Sequence, residues 1–238
     1  MKTIWDESCI FSPSLICFDL CNLEEQVRLL EQAGIKLLHV DILDGHFSPS
    51  MPLGLETVRQ LRSKTNLDFD VHLMAACNDY FVDELLDIGV QQLVFHAETE
   101  KHMDHMLNKI KGRGVRAGVA LKPATSLSTI EYVIENCDTV LLMLINPGYA
   151  GNVKETQVPY AERKIKDLRN MVNERGSSAL IEIDGRISID NISKYAGEYV
   201  DVFVIGSTCI SCGGIPESTG RLNRIRSDLL KARKGADV

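Results

Sequence analysis

Eight short apolar runs alternate with amphipathic stretches along the whole chain, and this rhythm predicts a closed (β/α)8 barrel, the TIM fold. Two absences narrow the choice. No Pro/Gly/Ser-rich linker divides the chain, so residues 1–238 read as one domain. Neither a G-x-G-x-x-G fingerprint nor a P-loop follows an early strand, which speaks against the rival arrangement, a doubly wound nucleotide-binding sheet.

The strand-like runs lie near residues 11–17, 37–42, 68–73, 92–96, 116–121, 139–144, 179–183 and 201–205. The first helical stretch, 23–33, repeats Val27, Leu30 and Ala33 on one face. Further helices are expected near 55–63, 79–88, 103–111, 127–135, 160–173, 189–195 and 217–232. Strands that alternate with helices pair in parallel through crossovers. A strand covered on both faces is apolar throughout, as 139–144 is.

The chain carries 33 acidic and 26 Lys or Arg residues, a formal charge of -7. With 45% hydrophobic and 25% charged residues it is a globular composition and not a disordered one. The negative balance argues against nucleic acid as a partner, because phosphate backbones need a basic footprint. An acidic protein still binds a phosphorylated metabolite through a few local donors. The first residues lack a basic start followed by an apolar run, and no apolar stretch reaches the roughly 18 residues of a membrane helix. No membrane partner is therefore expected. Seven scattered cysteines suit a reducing cytoplasm. Cys209 and Cys212 have C-x-x-C spacing, but with no second pair nearby an incidental pair is the simpler reading.

A barrel places its chemistry at the C-terminal ends of its strands. There the sequence reads His39-Val40-Asp41, with Asp44 in the next loop, then Asp70-Val71-His72-Leu73-Met74, and later Glu182-Ile183-Asp184. Ionisable groups inside apolar strands are costly unless paired or bound to metal. Residues two apart share a face, so His39 and Asp41 project together. His72 joins them from the next strand and Asp184 from across the barrel. Two imidazoles and two carboxylates suit a divalent transition ion. Singly, each of these residues reads more simply as a packed core position or a loop cap; the set points to a site. Asp41 and Asp184 have a second use, removing and returning a proton on opposite faces of a planar intermediate while a metal offsets charge on oxygen. That is the logic of an epimerase.

The loops supply binding candidates. Gly148 and Gly151 lie in the tight segment Asn146-Pro147-Gly148-Tyr149-Ala150-Gly151-Asn152 after strand six, Gly185 follows strand seven, and Gly206-Ser207 follows strand eight. Backbone N–H groups there form a phosphate cradle, although each glycine alone also fits a simple turn. Arg186 either adds a charged phosphate contact or reaches solvent. Ser14 either donates to a substrate hydroxyl or is satisfied locally. Met74 and Met143 either flank the reacting carbon or fill core. His96 faces the pocket or closes the core. His46 belongs to the second loop, and His102 and His105 to a helix surface.

These segments together resemble the ribulose-phosphate 3-epimerase family. The matching stretches are Ser12-Pro13-Ser14-Leu15, His39-Val40-Asp41 through Asp44-Gly45-His46-Phe47, Asp70-Val71-His72-Leu73-Met74, Asn146-Pro147-Gly148-Tyr149, Ile183-Asp184-Gly185 and Ile205-Gly206-Ser207, in family order over nearly the whole chain. The resemblance implies a barrel of the ribulose-phosphate-binding type and reversible inversion at C3 of a phosphorylated ketose. It also implies one divalent ion (Zn, Mn, Fe or Co) on His39, Asp41, His72 and Asp184, with Asp41 and Asp184 as acid and base. By the same resemblance Ser14 and His72 touch the sugar end, Met74 and Met143 shape the site, and Gly148, Gly151, Gly185, Gly206 and Ser207 hold the phosphate. It implies a homo-oligomer as well. The chain departs from the family pattern at Cys17, Leu43, Ala150 and Arg186, the last standing where a second glycine is usual. D-ribulose 5-phosphate, the family's main substrate, is the expected one; Cys17 and Ala150 are similar to the allulose-6-phosphate branch, which makes D-allulose 6-phosphate the alternative. The other readings are an aldolase or decarboxylase on the same barrel, using metal to stabilise an enediolate, and a non-catalytic sugar-phosphate binder. A decarboxylase would place a lysine among the strand-end acids, where none sits beside Asp41 or Asp184, and Lys122 follows strand five.

Overall fold

The computed structural model describes residues 3–149, 151–152, 154–210 and 214–234; Ala150 and Cys212, singled out above, lie outside the described residues. Strands β1 (Ile10–Pro13), β2 (Leu37–Leu43), β3 (Asp68–Met74), β4 (Gln92–His96), β5 (Arg116–Leu121), β6 (Thr139–Met143), β7 (Leu180–Asp184) and β8 (Val202–Ile205) form one parallel sheet in the order β1-β8-β7-β6-β5-β4-β3-β2. Its two ends meet through a parallel bridge between Ser14 and His39, which curls the sheet into a nearly closed (β/α)8 barrel. The helices are α1 (Leu23–Gln32), α2 (Leu55–Arg62), α3 (Asn78–Ile88), α4 (Met103–Lys111), α5 (Ala161–Glu174), α6 (Ile189–Tyr195) and α7 (Ile215–Lys234).

Two expected elements differ. Residues 11–17 are not one strand: β1 ends at Pro13, and Leu15–Cys17 is a 3-10 turn closed by the Cys17 N–H on the Ser14 carbonyl. Residues 127–135 are not an α-helix but two 3-10 segments, Leu127–Ile130 and Ile134–Asn136. The Ser126 side chain takes the Ser128 N–H, a local bond that competes with the helical ladder, and the β-branched Thr129, Ile130, Val133 and Ile134 weaken helix further. Every other predicted boundary lies within two residues of the observed one.

Alternation along the strands divides the core. Leu38, Val40 and Ile42 of β2 and Phe69, Val71 and Leu73 of β3 face outward and join the large cluster that includes Val27 and Leu30 of α1 and Leu85 of α3. Each such buried side chain contributes roughly 1.5–3 kcal/mol. Ile10, Leu37 and Val202 close the lower end of the barrel with Trp5, over whose ring Arg116 lies 4.6 Å from the centroid. Inside, β4, β5, β6 and the segment just after β6 present an apolar wall of Val94, Ala120, Leu141, Met143 and Ile145. The facing strands β2, β3 and β7 present polar side chains instead, and those build the site.

Candidate active site

Three strands each aim two ionisable residues, spaced two apart, into the barrel: His39 and Asp41, Asp70 and His72, Glu182 and Asp184. Parallel register sets His39 beside Asp70 and Asp41 beside His72, so the six side chains form a lower and an upper layer.

The lower layer is a buried polar network centred on Asp70 and Gln92. Asp70 accepts from Gln92 Nε2 at 2.8 Å and from Ser12 Oγ at 3.2 Å, and its Oδ2 lies 2.9 Å from His39 Nδ1. Gln92 in turn accepts from the Thr139 hydroxyl at 2.7 Å and from Arg116 Nε at 3.2 Å. Burial and then the Asp70 charge push the Glu182 carboxyl well above its ordinary value, so it keeps its proton. Burial works to raise Asp70, but the His39 charge together with hydrogen bonds from His39, Glu182 and Gln92 outweighs it and lowers the carboxyl.

In the upper layer His39 Nε2 and His72 Nδ1 each lie 3.4 Å from the same atom, Asp41 Oδ1, and His72 Nδ1 lies 3.9 Å from Asp184 Oδ2. Among the described residues neither of these two buried ring nitrogens has a hydrogen-bond partner. Four potential ligand atoms, one from each of His39, Asp41, His72 and Asp184, lie within 4.8 Å of one another. Two bonds of about 2.1 Å at a tetrahedral angle separate their donors by about 3.4 Å, so the cluster fits a single divalent ion. The orphaned nitrogens are the expected sign of such a site, since a buried imidazole nitrogen otherwise finds a partner. Outer partners orient both rings: Asp70 holds His39, and His96 Nε2 lies 2.9 Å from His72 Nε2. Burial lowers His96 to about 4, which keeps that ring neutral.

The two upper carboxylates differ. Burial works to raise Asp41, but the proximity of His39 and His72, the His39 charge first, together outweighs it and holds the carboxyl well below the usual range. Burial and then the Asp41 charge push Asp184 up to about 6. Neighbouring acids whose protonation is driven apart are suited to acid/base work. Burial also lowers His39, but Asp41 and Asp70 outweigh it and raise the ring well above its ordinary value.

Above this layer opens a cavity of about 420 Å³, lined by Ser14, Asp41, Met74, Met143 and Asp184 and by the glycine loops at Gly148, Gly151, Gly185, Arg186, Gly206 and Ser207. His39 and His72 do not line it; both rings are fully buried behind its wall. Gly148 has a φ of +85°, and a Cβ there would lie 1.7 Å from Ser48 Oγ. At Gly185 the φ is +116°, and a Cβ would lie 2.9 Å from the Ile145 nitrogen. Arg186 occupies the left-handed region at +54° and donates to the Asn152 carbonyl at 3.0 Å, joining the loops after β6 and β7. Asp44, whose role was open, is a loop clamp: it accepts from the N–H groups of His46, Phe47 and Ala76. Lys122 Nζ sits 4.0 Å from the Phe47 ring centroid and is not among the cavity-lining residues.

The sequence reading missed Glu98, which faces His96 at 2.8 Å, and the bonding roles of Asp70 and Glu182. The signal for the latter pair was present, since each lies two residues before a proposed ligand on the same inward face. It also missed Ser50, Pro52 and Thr208 in the cavity wall, which no motif marks.

Comparison with known proteins bears on the same segments. The model of the ribulose-phosphate 3-epimerase family matches residues 10–210. The chain belongs to this family. It is 35% identical over 206 residues to a ribulose-phosphate 3-epimerase of Treponema pallidum, covering 87% of this chain and 93% of that one. The enzyme of the same name from Escherichia coli K12 is 31% identical over 223 residues, covering 93% and 96%. Among solved structures, 3-hexulose-6-phosphate synthase from Salmonella typhimurium superposes with a TM-score of 0.64 at 17% identity over 93% of this chain and 99% of that one, a likeness of fold alone. The site lies inside the matched family segment, and so does Arg186 with its positive φ.

Proposed function

We propose that the 238 residues form one barrel domain acting as a metal-dependent ketose-phosphate 3-epimerase that interconverts D-ribulose 5-phosphate and D-xylulose 5-phosphate. The observation that carries this reading is the meeting of Asp41 and Asp184, two carboxylates of opposed protonation preference, on one cavity that the glycine loops also line.

Asp41, ionised, takes the C3 proton from one face of the sugar. Asp184, protonated, returns a proton to the other face of the planar enediolate. In the reverse direction the two exchange roles. His39, Asp41, His72 and Asp184 hold one divalent ion (Zn, Mn, Fe or Co), which when bound supplies positive charge against the negative charge that grows on the ketose oxygens. Ser14 orients Asp41 at the sugar end, with His72 behind it. Met74 and Met143 set apolar surface against the reacting carbons. The backbones at Gly148, Gly151, Gly185, Gly206 and Ser207, with the Arg186 guanidinium, bind the phosphate.

The names of the relatives support the pentulose phosphate as substrate. Cys17 lines the cavity and favours a second reading, D-allulose 6-phosphate going to D-fructose 6-phosphate. Neither nucleic acid nor membrane is a partner in this reading; among the described residues no helix is long and apolar enough to cross a membrane. A cytoplasmic homo-oligomer completes it, in keeping with the unbridged thiols of Cys21, Cys77, Cys137 and Cys209.

The test is kcat/KM of the metal-loaded protein for both ketose phosphates, with products identified by NMR. A larger value for D-ribulose 5-phosphate supports the assignment, and a larger value for D-allulose 6-phosphate moves it to the hexulose. Binding of either sugar without turnover overturns the catalytic reading.

A further inference from the structure

We infer that His96 and Glu98 are positioning residues that fix the ring tautomer of His72 and so present its Nδ1 lone pair to Asp41 and Asp184; this rests on the ligand set proposed above. His72 Nε2 lies 2.9 Å from His96 Nε2, and His96 Nδ1 lies 2.8 Å from Glu98 Oε2. Glu98 Oε1 takes the Lys122 N–H at 2.7 Å and the Thr125 hydroxyl. A carboxylate only accepts, so the proton between Glu98 and His96 sits on His96 Nδ1. A neutral imidazole has one N–H, which leaves His96 Nε2 with its lone pair. The facing nitrogen of His72 is then the donor, and Nδ1 keeps the lone pair 3.4 Å from Asp41 Oδ1.

The competing pull comes from Asp41 Oδ1, 3.4 Å from His72 Nδ1, but no hydrogen bond forms there, whereas the contact to His96 is 2.9 Å. Both rings are fully buried, so water does not reach them. Phe47 braces His96, ring centroids 4.6 Å apart, and carries Lys122 Nζ 4.0 Å from its own centroid. Glu98 is pinned to the segment after β5, so the chain of bonds ties a ligand on β3 to the rim of β4 and β5. His39 is oriented by a separate group, Asp70, which makes the two ligands separately testable.

Cobalt(II) is titrated into wild-type, His96→Phe and Glu98→Ala proteins well below their melting temperatures, read by visible absorption. Ring 15N spectra recorded without cobalt report the His72 tautomer. The expected result is a cobalt dissociation constant raised about 10–100-fold in both variants. The His72 proton is expected on Nε2 in the wild type and shared between both nitrogens in Glu98→Ala. A purely structural role would lower the melting temperature and leave both readouts unchanged. Glu98 sits at the rim with its side chain 19% exposed, so Glu98→Ala decides the question even where His96→Phe does not fold. Unchanged affinity and tautomer in Glu98→Ala overturn the inference. A wild type that does not bind cobalt overturns the ligand set, and the inference with it.

Discussion

Ser14 donates its hydroxyl proton to Asp41 Oδ2 at 2.7 Å, which leaves Oδ1 as the oxygen that faces both His39 and His72. One carboxylate is thereby divided between two tasks. The bond comes from the residue that bridges β1 to β2, so closing the barrel and orienting the base are the same local event.

Removing that donor frees the carboxylate to rotate. A hydrogen bond to a charged group is worth about 1.5–3 kcal/mol, so Ser14→Ala is expected to lower kcat roughly 10–100-fold. The melting temperature is expected to move little. Steady-state kinetics beside a thermal melt check this, and an unchanged kcat would remove Ser14 from the account.

Metal affinity is expected to tighten as pH rises. His39, raised well above its ordinary value, holds a proton that must leave before Nε2 binds an ion, and Asp184, pushed up to about 6, holds one that competes with the ion for its carboxylate. A raised group keeps its proton until pH passes its folded value, so the sign is weaker binding in acid. Each displaced proton changes the apparent constant by about tenfold per pH unit below that value. Calorimetric titrations at about pH 5.5, 6.5 and 7.5 in buffers of different ionisation enthalpy measure the release. Affinity independent of pH would contradict these protonation states.

Arg186→Gly is expected to separate binding from stability. The left-handed φ of +54° suits glycine, so the backbone relaxes while the bond to Asn152 is lost. Stability is expected to change by less than about 1 kcal/mol. Loss of the guanidinium raises KM for the phosphorylated substrate about tenfold, with kcat within about twofold. Kinetics in parallel with denaturant melts test both halves; an unchanged KM removes Arg186 from the phosphate site.

Gly148→Ala is expected to force apart the loops after β2 and β6, because its Cβ would meet Ser48 Oγ at 1.7 Å and Ser48 Cβ at 2.3 Å. The cost is about 1–3 kcal/mol. Ser48→Gly in the same chain removes both clashing atoms and restores part of the loss. A double-mutant cycle of melts measures the coupling, and additive losses would contradict the contact.

Much of this was legible in the sequence, and the particulars show why. His39, Asp41, His72 and Asp184 were readable because a charged residue in an apolar strand stands out, and spacing by two decides the face. The 3-10 segments after β5 were not, because the helical spacing of Leu127, Ile130 and Ile134 is cut by the local bond of Ser126. Nor was the chain from His72 through His96 to Glu98. His72 and His96 lie on neighbouring strands and Glu98 just beyond β4, and only the observed register brings the two ring nitrogens to 2.9 Å. Ser14 was seen as a donor, but its acceptor became clear only when β1 closed against β2.

The central claim is that Asp41 and Asp184 work from opposite faces of the sugar. Its most direct test follows early turnover of D-ribulose 5-phosphate by the metal-loaded protein in deuterated water, with C3 of substrate and product read by NMR. The account predicts deuterium at C3 of newly formed D-xylulose 5-phosphate while recovered substrate keeps its protium. Product that retains the original proton, or substrate that gains label as fast as product, would show a single base at work and contradict it.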